Sequence, residues 1–143
     1  MPVHRRVITI QFGDCDPAGI VYYPRYFAFM DDCTLALLAA RGLALQDLFA
    51  RDAGFGGLPL VNAHADFKFA SRYGDAIDTE SQVVEINGSR FTLRHRFSRD
   101  GKLALEGFET RVWTSVHPDD RRRLKGQPVP EEVALRLLGP GAG

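Results

Sequence analysis

Phe12-Gly13-Asp14-Cys15-Asp16-Pro17-Ala18-Gly19-Ile20-Val21-Tyr22-Tyr23-Pro24 joins an alternating segment to a long apolar run. Before it, Ile8, Ile10 and Phe12 alternate with Val7, Thr9 and Gln11, which predicts a strand with the isoleucines and Phe12 inward. After it, Pro24 to Arg41 reads as a helix, with Pro24 in the first turn and Gly42 at the C′ position. Within the loop, Pro17 fixes its own φ and biases Asp16 towards an extended backbone. Gly19 opens backbone shapes closed to other residues, so a ligand can approach the main chain. A carboxylate, Asp16, is thereby held ahead of a helix start, where free N–H groups and the positive end of the dipole point. That pairing can both attack a carbonyl and stabilise the resulting oxyanion.

The helix predicted over Pro24 to Arg41 is apolar nearly all round, with Tyr26, Phe27, Phe29, Met30, Leu35, Leu37 and Leu38. Such a helix is expected to be buried on more than one side. Leu43 to Ala53 is expected to form a short second helix, and Gly54, Gly56 and Gly57 a flexible link. Strand-like runs follow at Leu60 to Ser71, Ala76 to Ile86, Arg90 to Ser98 and Lys102 to Val116. In the first, Val61, Ala63, Ala65, Phe67 and Phe69 share one face; Asn62, His64, Asp66 and Lys68 share the other. Asn87-Gly88 and Asp100-Gly101 mark hairpin turns. Pro118 to Pro130 reads as a polar loop, and Glu131 to Leu138 as a final helix. One strand, a long helix and a meander of strands is an α+β layout.

The loop closely resembles the active-site loop of hotdog-fold acyl-CoA thioesterases of the 4-hydroxybenzoyl-CoA thioesterase type. The resemblance runs from about residue 5 to about residue 116, and the C-terminal tail matches loosely. It implies one hotdog domain over residues 1–143, a curled antiparallel β-sheet wrapped around one long central α-helix. It also implies hydrolysis of an aromatic acyl-CoA, 4-hydroxybenzoyl-CoA first, with water as second substrate and no cofactor. Homo-oligomers are implied too, dimers or tetramers with active sites at subunit interfaces.

Asp16 is the expected catalytic group, as nucleophile or as general base towards water. Asp14 better fits a loop-shaping role. Tyr23 and neighbouring backbone N–H groups are the expected oxyanion donors. Cys15 has no adjacent histidine in sequence to activate it. His95 alternates with Phe91, Leu93 and Phe97 and is expected inside; His64 lies on a polar face; His4 and His117 look solvated. Asp31, seven residues past Pro24, is roughly 10 Å along the helix and is the expected acceptor for a para-hydroxyl. Asp32 is rotated about 100° away. Coenzyme A phosphates need cations, and Arg121, Arg122, Arg123 and Lys125 form the densest cluster. Arg90 follows the Asn87-Gly88 turn, where some family members carry a basic run; here it stands alone.

The 143 residues suffice for a core that buries about 68–70% of the unfolded surface. A net charge of +0 argues against nucleic-acid binding as the main role. Cys15 and Cys33 lack metal or redox spacing, no metal site is expected, and no apolar run reaches the roughly 18 residues of a membrane span. A cytoplasmic protein is expected. The alternatives are a short-chain aliphatic acyl-CoA thioesterase of the same family and a non-catalytic acyl-CoA binding protein. Asp16 argues against the binder, which has little use for a carboxylate beside a thioester.

Overall fold

The strand, loop and helix expected around the opening stretch form as a unit. The computed structural model describes residues 2–139. In it β1 is His4–Thr9, a single 3-10 turn covers Phe12–Asp14, and α1 is Pro24–Ala40. Ile10 is fully buried, but Phe12 is 79% exposed and stands edge-on to Tyr73. The reason is local: the 3-10 turn starts at Phe12, so the period of two ends at Ile10.

Along α1 the buried side chains are Tyr26, Phe29, Met30, Cys33, Thr34, Leu37 and Leu38. Steps of three and four make this one stripe. Burial on several sides, expected from composition, is not what a single chain shows; Phe27, Asp31 and Leu35 are half-buried and Asp32 is exposed. The sheet covers one side of the helix, and Phe27 and Leu35 pack against the margins of the two core clusters.

The main sheet has the order β1-β4-β5-β6-β3, with β3 Leu60–Phe67, β4 Ala76–Asn87, β5 Arg90–Arg99 and β6 Lys102–Val112. Every neighbouring pair is antiparallel. Asn87 pairs with Arg90, so the turn is Gly88-Ser89, one residue later than the Asn87-Gly88 reading. Gly88, at φ 62°, takes the first central position, as a type II′ turn requires. β3 is an edge strand, which explains why Val61 and Phe67 are exposed while Ala63 and Ala65 are only half-buried.

A second, three-stranded sheet was not foreseen: β2 Phe55–Gly57, β7 Thr114–His117 and β8 Asp120–Gly126, in the order β2-β7-β8. The glycine-rich link is thus partly a strand, and Gly56 packs against Thr114 and Leu124, where a side chain would collide. The run Lys102 to Val116 breaks at Trp113 and changes sheet, and the expected polar loop contains β8. β8 is almost wholly exposed, so it carries no apolar alternation that a sequence reading can detect. The helices α2 Leu45–Arg51 and α3 Glu131–Leu138 lie inside their expected ranges.

The inward residues follow strand parity: Ile77, Thr79, Ser81 and Val83 on β4; Phe91, Leu93, His95 and Phe97 on β5; Leu105, Gly107, Glu109 and Arg111 on β6. An apolar cluster with Ile10, Met30, Ile77 and Phe97 lies under the first half of α1. Another, with Leu37, Phe55, Leu93 and Leu137, lies under the second half. Between them runs a buried polar band of Thr34, Thr79, Ser81, His95 and Glu109. Together these elements form an α+β hotdog fold.

Candidate active site

The loop closes on itself through its backbone. Asp16 N–H donates to Ile20 O (2.9 Å) and Gly19 N–H to Asp16 O (2.9 Å), with Gly19 at φ 81°. Its exit is tied down by Val21 N–H to Ser71 O (2.9 Å) and Tyr22 N–H to Asp14 O (2.8 Å). Asp14 is buried, accepting from Gln11 N–H (2.8 Å) and Arg25 Nε (3.0 Å), so it braces the loop. Asp16 shares in that shaping: its Oδ1 accepts from Ala18 N–H (2.9 Å), an Asx-type contact. Its Oδ2 has no partner among the described residues. The carboxylate lines a cleft of about 470 Å³ with Phe12, Cys15, Pro17, Gly19 and Tyr73.

At the helix start, Arg25 N–H donates to Tyr22 O (2.8 Å) and Tyr26 N–H to Tyr23 O (3.1 Å). Pro24 has no N–H. Of the expected backbone donors at the helix start, Tyr23 N–H has no partner among the described residues. The Tyr23 side chain is exposed and lines a second, mostly apolar cleft of about 290 Å³. Val21, Tyr26, Phe67, Lys68 and Phe69 share it. Asp16 and Tyr23 thus sit on one loop but open onto two clefts, with Gly19 on one side and Ile20 on the other. Lys68 drew no attention in the sequence, because alternation marks it only as a polar-face residue.

Tyr23, Phe27 and Asp31 are spaced by four and line one ridge of α1. Phe67 of β3 packs on Phe27, with ring centres 6.4 Å apart. Asp31, half exposed, is not free: Arg111 Nη2 donates to its Oδ1 at 2.6 Å and to Glu109 Oε2 at 3.1 Å. Glu109 in turn accepts from Thr34 and lies 3.2 Å from His95 Nε2, while Ser81 Oγ lies 2.7 Å from His95 Nδ1. Burial alone would raise the Glu109 pKa. The His95 hydrogen bond, the Arg111 charge and the Thr34 hydroxyl outweigh it and hold the carboxyl at about 2. Burial likewise opposes the Arg111 charge, but Glu109 and Asp31 push its pKa up. Glu109 and Arg111 escaped the sequence reading. Their signal was strand parity, since they alternate inward with Leu105 and Gly107.

The expected phosphate cations fall elsewhere. Arg121, Arg122, Arg123 and Lys125 lie on β8, where the register with β7 shifts between Asp120 and Leu124. Arg122 is paired with Asp120 (3.2 Å), and Arg121 reaches Ala53 O (3.4 Å). Arg90 is exposed beside its turn, and Ser89 O and Gly88 O accept from Trp113 and Val129 N–H (2.8 and 2.9 Å). That draws the hairpin tip against the strand junction next to β8. Through β2, whose Phe55 packs with Leu37, this region belongs to the C-terminal end of α1. The loop of Asp16 is at the other end, and the 17 residues of α1 span about 25 Å. One chain does not bring these cations to its own Asp16.

Among the remaining candidates, His95 is fully buried as expected, and His64 is exposed and stacked on Phe108. His4 departs from expectation: its Nδ1 is buried without a partner, and burial, with Arg6 and Arg41 nearby, lowers its pKa. Cys15 Sγ points at Gln11 O (3.7 Å), not at a histidine. Among the described residues no group of three or more His, Cys, Asp or Glu gathers as a metal site. No single helix among them is long and apolar enough to cross a membrane.

The family model of the thioesterase-like superfamily matches residues 10–137. The chain belongs to that superfamily. This thioesterase-like chain is 32% identical over 128 residues to 4-hydroxybenzoyl-CoA thioesterase of Pseudomonas sp. (strain CBS-3), covering 86% of the chain and 89% of that protein. It is 33% identical over 92 residues to 1,4-dihydroxy-2-naphthoyl-CoA hydrolase of Synechococcus elongatus, covering 64% and 67%. Among solved structures it superposes on a 4-hydroxybenzoyl-CoA thioesterase variant in complex with 4-hydroxybenzoyl-CoA. The TM-score there is 0.86 at 28% identity, covering 94% of this chain and 98% of that one. The loop of this thioesterase carries a part-exposed carboxylate, Asp16, and a backbone donor, Tyr23 N–H, with no partner among the described residues.

Proposed function

We propose that this acyl-CoA thioesterase hydrolyses a hydroxylated aromatic acyl-CoA, 4-hydroxybenzoyl-CoA before others, to the free acid and CoA. The observation that carries the reading is the ridge of Tyr23, Phe27 and Asp31. It offers a backbone donor for the thioester oxygen, an aromatic floor, and a carboxylate about 12 Å further along the axis. Both named relatives act on hydroxylated aryl-CoA thioesters, which supports the same class.

In this mechanism the thioester lies across the Gly19-Ile20 divide where the two clefts adjoin, and Tyr23 N–H polarises its carbonyl. Asp16 adds through its unengaged oxygen to give a mixed anhydride that water cleaves, or it takes a proton from the attacking water. In either route the C–S bond breaks and CoA leaves as thiolate, a leaving group that needs no strong acid. Asp31 accepts the hydroxyl of the acyl ring. The CoA phosphates fall to Arg90, Arg121, Arg122, Arg123 and Lys125. Because those cations lie at the far end of α1 from their own Asp16, the working site takes them from another subunit of a dimer or tetramer. The unpaired edge of β3, with Leu60, Val61 and Phe67 exposed, is the surface we assign to that contact. CoA chemistry and two unpaired thiols suit the cytoplasm.

Steady-state hydrolysis over a panel of 4-hydroxybenzoyl-, benzoyl-, 1,4-dihydroxy-2-naphthoyl-, acetyl- and hexanoyl-CoA tests the reading. The expected result is the highest kcat/KM on a hydroxylated aryl thioester. A preference for an aliphatic thioester refutes it, and no turnover of any of them returns the binding-protein alternative.

A further inference from the structure

Asp31 stands over a chain of buried charges that the reaction itself does not call for. We propose that Arg111 is a positioning residue for substrate selectivity: anchored from below by Glu109, it holds Asp31 as the acceptor for a hydroxyl on the acyl group. The inference rests on the assignment of Asp31 made above.

A half-exposed aspartate on a helix samples several rotamers, and an ion pair with a mobile surface partner orders it little. Arg111 is not such a partner. Its side chain is 9% exposed and rises from β6 towards α1. Nη1 donates to Leu58 O at 3.2 Å; Nη2 donates to Glu109 at 3.1 Å and to Asp31 at 2.6 Å. Glu109 is itself fixed by Thr34 of α1 and by His95 of β5, and His95 meets Ser81 of β4. Four elements therefore determine where one guanidinium sits. The planar fork reaches several acceptors at set angles, which a lysine cannot reproduce.

The charges also have a direction. Glu109 and Asp31 share the single Arg111 guanidinium, and the excess negative charge emerges at Asp31. Its Oδ2 has no partner among the described residues. An oxygen so placed takes a neutral hydroxyl donor and disfavours an acyl group that ends in a carboxylate or lacks a donor. Without the guanidinium, Asp31 would lose its anchor and face the Glu109 charge alone.

The test is the ratio of kcat/KM for 4-hydroxybenzoyl-CoA over benzoyl-CoA, a quantity that a merely structural role leaves alone because both substrates need the same fold. Arg111→Met alone strands a buried carboxylate, so it is paired with Glu109→Gln, which leaves no unpaired buried charge. Thermal melting reads the fold separately. The expected result is a ratio lowered by about tenfold or more in the double variant, with no further fall when Asp31→Ala is added. Arg111→Lys keeps the charge and loses the fork, and should lower the ratio by about threefold. If the double variant fails to fold, an unchanged ratio in Arg111→Lys overturns the inference. A folded double variant that keeps the wild-type ratio, while Asp31→Ala alone erases it, also overturns the inference and leaves the acyl assignment standing. A wild type with no preference overturns both.

Discussion

Replacing Asp16 by asparagine separates the chemistry of the loop from its shape. The side chain has two jobs: Oδ1 accepts Ala18 N–H at 2.9 Å, and the charge faces the cleft beside Cys15 and Tyr73. Asparagine keeps an oxygen for the first and has no charge for the second. The fold should hardly notice: a part-exposed isosteric change is worth within about 0.5 kcal/mol. Asp16→Ala removes the Ala18 bond as well, which costs about 1 kcal/mol and lowers Tm by about 3 °C. Catalysis should respond differently. Loss of a general base or nucleophile costs a factor of about 10² to 10⁴, or roughly 3–5 kcal/mol in the barrier. So the two variants should be alike in kcat and differ in Tm. The assay is thiol release from 4-hydroxybenzoyl-CoA by a disulfide dye, run beside thermal melts. Near-normal turnover in a folded Asp16→Asn protein would refute the role of the carboxylate and leave only its turn-shaping contact.

Neutralising Arg121, Arg123 and Lys125 together should raise KM several-fold with little change in kcat, because phosphates far from the thioester contribute equally to ground and transition states. The same KM should rise with salt in the wild type, since exposed charges are screened over about 8–10 Å; a salt-independent KM would refute phosphate capture by exposed cations. Glu109 makes stability depend on acid. Its folded pKa, about 2 against an ordinary value of 4.5, is depressed, so the stabilisation is complete above pH 4.5 and disappears as pH falls through 2. That shift corresponds to about 3 kcal/mol. Urea melts of the wild type and Glu109→Gln between pH 7 and pH 2 should converge by about that amount at low pH, and parallel curves would show that Glu109 is not held this way.

What could be read in the chain was what neighbouring residues decide among themselves. Pro17 and Pro24 fix their own φ and Gly19 admits a positive φ, so most of the loop before α1 is decided locally, with its exit held by Ser71 O. Period-two runs of β-branched and aromatic residues make β4 and β5 legible and place His95 inside. Where the alternation lacked apolar residues, as in the charged and exposed β8, the same method read a loop. Asp14 could be set apart from Asp16 by position, but not the fact that both bond to the loop they belong to.

The tertiary structure decided which residues stand together. Arg111 meets Asp31 across 80 positions of sequence, and Thr34 meets Glu109 across 75, pairings that no local periodicity encodes. The sheet brings them together because strand register, set by turns such as Gly88-Ser89, determines which inward residue lies under which turn of α1. The same register leaves β3 as an open edge and separates Asp16 from the cations of β8 by the length of the helix. Neighbouring residues encode the carboxylate and the loop that holds it; the distance between that loop and the cations, and the buried charges under Asp31, arise only once distant strands have paired.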